Sequence, residues 1–557
     1  MNRENTKLRH RLETLVGQMC ESLGPRPPGS SAERRAAEWL AERLAELGYE
    51  PQLEEFDCPA HGAEAARLSG LDGAADIEVY PTQHSPAGKV TGPLHWLGFG
   101  EQHLQQDVAG RIGVLMATGD RRELHRLLGR LESAGMLAVI AAGPYGDAVT
   151  GKAVRPGGLQ RMLTTTVSIR TALGLTRHFG QEVTLEVTGS RPTAEGRSQN
   201  VVAELPGTGP NILVVCAHYD TAAHSPGALD NASGTALMLE LARCLRGQRL
   251  PATVLFVATG AEEFGADDGC GQGAKALFAR RLGELPRIIG CFAVDAVGCR
   301  LGVRHLRLWG PGPFRRAVPE FAGVARDERR PGGCDDGSAH QYGLATVALM
   351  DDYASNPFFH GPDDTPEVLD FDAMAGMLKV CERIVAALAA TDPPYRYRRR
   401  GELLVRPARR DDVSAIAEVT RESFGPYSMS RMKEDFFGAP LGGKPWHHYK
   451  VRSVCDYARR ALDCFVVAEL AGRVVGYASY SLDEEQQLAE VGNNAVLPEY
   501  QRRGIATALQ EEVMARFAEE GYRHWTVSTL SNDLPAQRLY AKMGFEEYIR
   551  VIMYLRK

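Results

Sequence analysis

Between about residue 10 and residue 50 the apolar positions recur at helical spacing. Leu12, Leu15, Val16 and Met19 form one stripe, and Ala36, Leu40, Leu44 and Leu47 form another beyond a turn of Gly, Pro and Ser. Two helices are predicted to open the chain. Between Gly110 and Ala142 the pattern reads strand, helix, strand: Ile112–Met116 is apolar and β-prone, Glu123–Ala134 is amphipathic, and Leu137–Ala141 is apolar again. From Asn200 the pattern becomes regular. Apolar runs at Asn200–Leu205, Ile212–Ala217, Thr253–Ala258, Ile288–Val294 and Ala345–Met350 alternate with helical segments such as Ala232–Arg246 and Ala274–Arg280. Continuous apolar runs of strand length mark strands covered on both faces, so an α/β fold with a doubly wound, mostly parallel sheet is predicted. Functional residues should then gather at the carboxyl ends of those strands.

After a long helix, Phe371–Ala390, come Pro393, Pro394 and a run of arginines up to Arg400. Proline blocks helix continuation, and the arginines are expected to be a solvated hinge. A second domain of mixed α+β type is predicted from Leu403 to Lys557, with Phe465–Leu470 and Val474–Tyr480 as a hairpin, Glu490–Val496 as a further strand and a helix from Ala506 to Glu519. The expected division is 1–60 with 190–392, an insert at 61–189, a linker at 393–402 and the second domain at 403–557.

The chain of 557 residues exceeds what one core serves, and its composition, 44% hydrophobic and 24% charged, is that of a folded globular protein. A formal net charge of -6 gives no basic field to attract nucleic acid or anionic lipid. No run approaches the roughly 18 apolar residues of a membrane span. Small-molecule or peptide substrates are favoured. The polar stretch Met1–Lys7 is followed by no apolar segment of signal-peptide length, and eleven cysteines lack CxxC pairing, so the cytoplasm is the expected compartment.

Candidate chemistry follows the strand ends. His218 and Asp220 stand two residues apart, on one face, where the run Ile212–Ala217 stops. Asp230 precedes a small-residue helix start, Asn231-Ala232-Ser233-Gly234. Glu262 and Glu263 follow Thr253–Thr259, and adjacent carboxylates there repel unless a cation offsets them. Asp295 ends another run, and His360 lies in an aromatic loop with Asp363 and Asp364. Hard N/O donors at the ends of strands of one sheet suit zinc.

In order and type these motifs resemble the co-catalytic zinc aminopeptidases, leucyl aminopeptidase-like, and the insert resembles a protease-associated domain. The resemblance implies two zinc ions, with Asp230 bridging, His218 and Asp295 on one metal, and Glu263 and His360 on the other. It implies Glu262 as general base acting on a peptide substrate. Asp220 is then expected to orient His218, and Tyr353 is a candidate for oxyanion stabilisation. The turn Phe264–Gly271 departs from the family's usual one in being more acidic and richer in glycine.

In the second domain, the loop Gln501-Arg502-Arg503-Gly504-Ile505-Ala506 opens a helix, and amides freed at a helix N-terminus by glycine can hold a pyrophosphate. Together with the hairpin before it and Asn532 and Tyr540 after it, this order resembles the GNAT N-acetyltransferases. The resemblance implies that Val496 offers backbone groups to the pantetheine of acetyl-CoA, that residues 501–506 cradle its pyrophosphate and that Asn532 contacts it. Tyr540 would protonate the departing thiolate, and Glu490 is a candidate base for the amine acceptor.

The expected function is bifunctional: a two-zinc aminopeptidase joined to an acetyl-CoA-dependent N-acetyltransferase. Two other readings are a zinc-retaining, non-hydrolytic scaffold that presents peptides to the acetyltransferase, and a single-zinc enzyme similar to glutaminyl cyclases.

Overall fold

The computed structural model describes residues 3–60, 65–82, 85–98, 107–116, 121–142, 162–188, 193–263, 271–328, 334–351 and 358–556. The apolar runs form the centre of an eight-stranded sheet. Its order is Gln52–Ala60, Thr193–Leu205, Thr253–Thr259, Ile212–His218, Ile288–Val294, Thr346–Asp351, Arg304–Trp309 and Ala325–Asp327. Thr253–Thr259, Ile212–His218, Ile288–Val294 and Thr346–Asp351 pair in parallel, and antiparallel strands flank them on both sides.

Every residue of Ile212–His218 and Ile288–Val294 is buried, because each face of the sheet carries helices. Leu213, Val215, Phe256 and Phe292 pack with Leu12, Leu40, Leu237, Leu241, Ile384 and Leu388 on one side. Val214, Cys216 and Val257 pack with Leu277, Phe278 and Ala339 on the other. This is the doubly wound α/β layer, with all four parallel strands ending on the same edge.

The chain leaves this layer after Gln52–Ala60 and returns at Thr193–Leu205, with Ala60 opposite Thr193 in their antiparallel ladder. An excursion between adjacent ladder ends leaves the pairing intact at small closure cost. The excursion is a closed barrel of seven strands, not only the strand-helix-strand unit seen in the apolar pattern. Ile112–Met116, helix Arg121–Ser133 and Ala138–Ala142 are one part of it. Ala65–Ser69 and Glu182–Thr188 alternate buried and exposed positions, so their polar outward residues dilute the apolar signal.

The second domain is a six-stranded sheet in the order Arg398–Arg400, Leu403–Pro407, Phe465–Leu470, Arg473–Asp483, Leu488–Val496, His524–Val527. The arginine run expected as a hinge within a linker at 393–402 is therefore its first strand, folded back on Leu403–Pro407. Charge pairing explains the difference. Arg398 Nε lies 2.8 Å from Glu512 and Arg400 Nη2 2.5 Å from Glu511, both on the helix Ile505–Glu520. Arg396 pairs with Glu519 of the same helix, and Glu520 accepts the amide of Gly312 at 2.8 Å and pairs with Arg315 at 3.2 Å across to the first domain. Among the described residues no helix is long and apolar enough to cross a membrane.

Candidate metal centre and acyl-CoA site

Five sequence-predicted ligands converge where the parallel strands end. His218 Nε2 lies 2.9 Å from Asp230 Oδ1 and 3.3 Å from Asp295 Oδ1. His360 Nε2 lies 2.8 Å from the other oxygen of the same aspartate, Asp230 Oδ2, and 3.4 Å from Glu263 Oε1. Two buried donor triads result, His218–Asp230–Asp295 and Asp230–Glu263–His360, sharing Asp230.

Local chain geometry holds them there. Asp295 follows directly on Ile288–Val294, and its amide donates to Leu349 O at 3.0 Å. A Cβ on Gly234 would lie 2.3 Å from Val294 O, so glycine lets the start of helix Gly234–Leu245 sit against the strand end that leads to Asp295. Ala261, Ala296 and His360 take left-handed φ values of 51°, 49° and 61°. Each is a ligand or adjoins Glu262 or Asp295, so unfavourable backbone is concentrated at the site.

The donor set fits a cationic group. Asp230, Glu263 and Asp295 are all buried, with Glu262 beside them, and uncompensated buried carboxylates are costly. Burial pulls the His218 pKa down, yet Glu262, Asp220, Asp230 and Asp295 together raise it well above its ordinary value. Each triad offers imidazole and carboxylate donors and leaves coordination positions open, as zinc in a catalytic setting requires.

Asp220 does more than adjoin His218, whose Nδ1 is 3.6 Å from its Oδ1. Its Oδ1 accepts the amide of Glu262 at 3.0 Å and its Oδ2 the amide of Glu263 at 2.9 Å. Tyr353 and most of the acidic turn after Glu263 lie outside the described residues.

In the second domain Gly504 takes a left-handed φ of 79° at the N-terminus of helix Ile505–Glu520, and Arg502 one of 61°. Gln501, Arg502, Arg503 and Gly504 are exposed there, followed by buried Ile505 and half-buried Ala506. The Gln501 side chain turns back instead of outward: its Nε2 donates to Val496 O at 3.1 Å, a carbonyl that also accepts Ser423 Oγ at 3.0 Å. Strand Leu488–Val496 pairs in parallel with His524–Val527 only through Val491, where the shorter strand ends. Asn494 lies beyond that pairing and donates to the Tyr540 hydroxyl at 2.6 Å. Asn532 donates to Pro426 O at 3.3 Å, and Glu490 stands half-buried, 3.5 Å from Ser528 Oγ.

Residues 200–385 match the family described as Peptidase family M28, and residues 427–545 match the Acetyltransferase (GNAT) family. The chain joins an M28 peptidase domain to a GNAT domain. Among curated relatives, "Aminopeptidase YwaD" of Bacillus subtilis is 29% identical over 272 residues, 46% of this chain and 56% of that protein. "N-acetyltransferase 8" of Homo sapiens is 30% identical over 119 residues, 19% of this chain and 52% of that one. The chain thus spans about half the length of these curated relatives. The crystal structure of BSAP, a zinc aminopeptidase from Bacillus subtilis, shares the fold at a TM-score of 0.55 and 24% identity, covering 68% of this chain and 94% of that one.

Two acids of the M28 domain have supporting contacts that the sequence does not announce: Asp364, named there only as a neighbour of His360, and Glu33, not singled out at all. Asp364 accepts the amides of Leu229 and Asp230 at 2.8 and 3.1 Å, fixing the shared ligand, and burial pushes its carboxyl up to about 7. Glu33 accepts Ser198 Oγ at 2.6 Å and the amide of Ala261 at 3.0 Å, bracing the turn before Glu262. The signal for Glu33 was the sequence Ser30-x-x-Glu33, a helix-capping pattern, and Ser30 Oγ does accept the Glu33 amide. Nothing in that pattern reveals the distant contact with Ala261.

Proposed function

We propose that the chain is a bifunctional enzyme, a two-zinc aminopeptidase acting on peptide N-termini and an acetyl-CoA-dependent N-acetyltransferase acting on an amine. The observation that carries the first half is the Asp230 carboxylate, each oxygen of which faces a different histidine within 3 Å. His218, Asp230 and Asp295 would hold one ion, and Asp230, Glu263 and His360 the other. When bound, such ions supply Lewis acidity that polarises the scissile carbonyl and lowers the pKa of water.

Glu262, buried next to Glu263, would handle the proton. It takes the proton from the attacking water and returns it to the leaving amine, while Asp220 fixes the backbone of Glu262 and Glu263. Two complete triads and the retained, buried Glu262 favour this hydrolase over a metal-holding scaffold and over a single-zinc cyclising enzyme.

In the GNAT domain the amides at Gly504–Ala506, with Arg502 and Arg503 exposed beside them, would receive the pyrophosphate. Val496 would lie along the pantetheine, with Gln501 shaping the loop through its bond to the Val496 carbonyl. Asn532 would contact the cofactor from the following loop. Tyr540 would donate a proton to the leaving thiolate. An acetyl-CoA-dependent step fits action in the cytoplasm.

The test is metal content of the purified protein together with turnover of aminoacyl anilides, with and without chelator. About two zinc per chain and chelator-sensitive turnover are expected. Sub-stoichiometric metal with no turnover would overturn the peptidase half.

A further inference from the structure

Lys450 lies on the helix Trp446–Arg460, its side chain half-buried. Nζ donates to Asn493 Oδ1 at 2.5 Å and stands 4.2 Å from the centroid of the Phe424 ring. Among the described residues no carboxylate comes within ion-pair distance of it; its neighbours are a neutral amide and an aromatic face. Burial lowers its pKa, the mark of a cation held out of water without a counter-ion.

Its position relates it to the point of transfer. Asn493 and Asn494 are consecutive on strand Leu488–Val496; the first receives Lys450 and the second donates to the Tyr540 hydroxyl. Both residues lie past Val491, the last residue of that strand paired with His524–Val527. The ladder with Arg473–Asp483 also slips register here, between Ala478 and Tyr480, and the Ser479 hydroxyl ties the irregular stretch by donating to Asn493 O at 3.1 Å. Lys450 and Tyr540 are thus held by consecutive residues of one strand, whose side chains leave it on opposite faces beside the same short stretch of backbone.

We propose that Lys450 is the anion-recognising group of the acetyl-acceptor site, and that the acceptor is an amine carrying a carboxylate, a free amino acid or a short peptide. A carboxylate is the counter-ion that Lys450 lacks, and a charge-assisted hydrogen bond to it would be strong in a partly desolvated site. The inference rests on the acetyltransferase reading of this domain. In the transfer itself the amine nitrogen forms a bond to the acetyl carbonyl carbon and the thioester C–S bond breaks. The electron pair leaves on sulfur, Tyr540 protonates that thiolate, and the proton lost by the amine passes to water. An amino acid released by the first domain would carry both required groups.

The test uses the full chain and follows CoA release with matched acceptors: leucine, leucinamide, a leucine-initiated dipeptide and its amide. The wild-type protein should prefer each carboxylate over its amide by at least about tenfold in kcat/KM. Preference for leucine over the dipeptide identifies free amino acids as the source, and the reverse identifies peptides. Lys450→Met should raise KM for the preferred acid roughly 10- to 100-fold, the range for losing a hydrogen bond to a charged group. It should leave KM for acetyl-CoA and for the amides unchanged, and Lys450→Arg should restore part of the preference. Amides used as well as acids by the wild-type protein would overturn the assignment of Lys450 even if the variant failed to fold. So would an equal loss on acids and amides in Lys450→Met with acetyl-CoA binding intact. Absence of transfer to any amine, polyamines included, would overturn the acetyltransferase reading and this proposal with it.

Discussion

The carboxylate of Asp220 accepts the backbone amide of Glu262 at 3.0 Å, so a residue beside one metal ligand sets the position of the proposed general base. Its second oxygen takes the amide of Glu263, and both oxygens must therefore act as acceptors. In Asp220→Asn one N–H of the chain would face an NH₂ group. Peptidase kcat/KM is expected to fall about 10- to 100-fold, as for other groups that orient metal ligands. Unchanged steady-state kinetics would show that the turn holds without Asp220.

Because Asp230 serves both triads, its replacement differs in kind from that of the outer ligands. Asp230→Ala should lose both ions, whereas Asp295→Ala and Glu263→Ala should each weaken one. Metal analysis after gel filtration, at matched free zinc, separates the cases. Equal occupancy in all three variants would count against a shared carboxylate.

Glu262 is buried beside His218 without belonging to either triad. Glu262→Gln keeps its volume and one acceptor oxygen but cannot accept a proton. Hydrolysis of an aminoacyl anilide should fall by about 10²- to 10⁴-fold, the usual contribution of a general base, with zinc content unchanged. Retained turnover in this variant would remove Glu262 from the mechanism.

How far these features were legible in the sequence depends on how local their cause is. His218, Asp230, Glu263, Asp295 and His360 could be found because each rare donor type follows an apolar run or a small-residue turn, and a parallel sheet collects such ends on one edge. The supporting roles of Asp364 and Glu33 could not be read, since what they do depends on amides far along the chain. The same holds for the arginine run: Arg400 meets Glu511 across 111 residues, and only the fold turns a solvated-looking basic stretch into a paired strand. The barrel was underestimated because strands with one wet face carry half the apolar signal of a buried one.

That pairing has an energetic consequence at Glu512. The residue is 1% exposed and lies 2.8 Å from Arg398 and 3.2 Å from Arg516, itself 5% exposed. Glu512→Ala would strand the buried Arg516 guanidinium without its carboxylate. A cost of roughly 3 kcal/mol is expected, at the low end for breaking a buried pair because Arg516 also stacks on Tyr395. Differential scanning calorimetry should show the loss in the transition of the GNAT domain, with peptidase metal content intact. A shift no larger than that of an exposed control such as Glu547→Ala would mean that the pair contributes little.

Tyr540 decides whether the GNAT domain uses a side chain as acid. Burial raises its pKa, so the phenol keeps its proton at neutral pH, while Asn494 opposes the shift by donating to its oxygen at 2.6 Å. A protonated hydroxyl whose lone pair is engaged by an amide directs its own hydrogen elsewhere, which suits donation to a leaving thiolate. Tyr540→Phe removes that proton but keeps the ring, which packs edge-on against Phe545 at 6.1 Å between centroids. The acetyl-transfer kcat should fall by about 10²-fold or more with KM for acetyl-CoA unchanged. The alkaline limb of the kcat profile should disappear as well, because in the wild-type protein it reports loss of this proton. An unaltered kcat and profile would assign Tyr540 to packing alone and leave water as the proton donor.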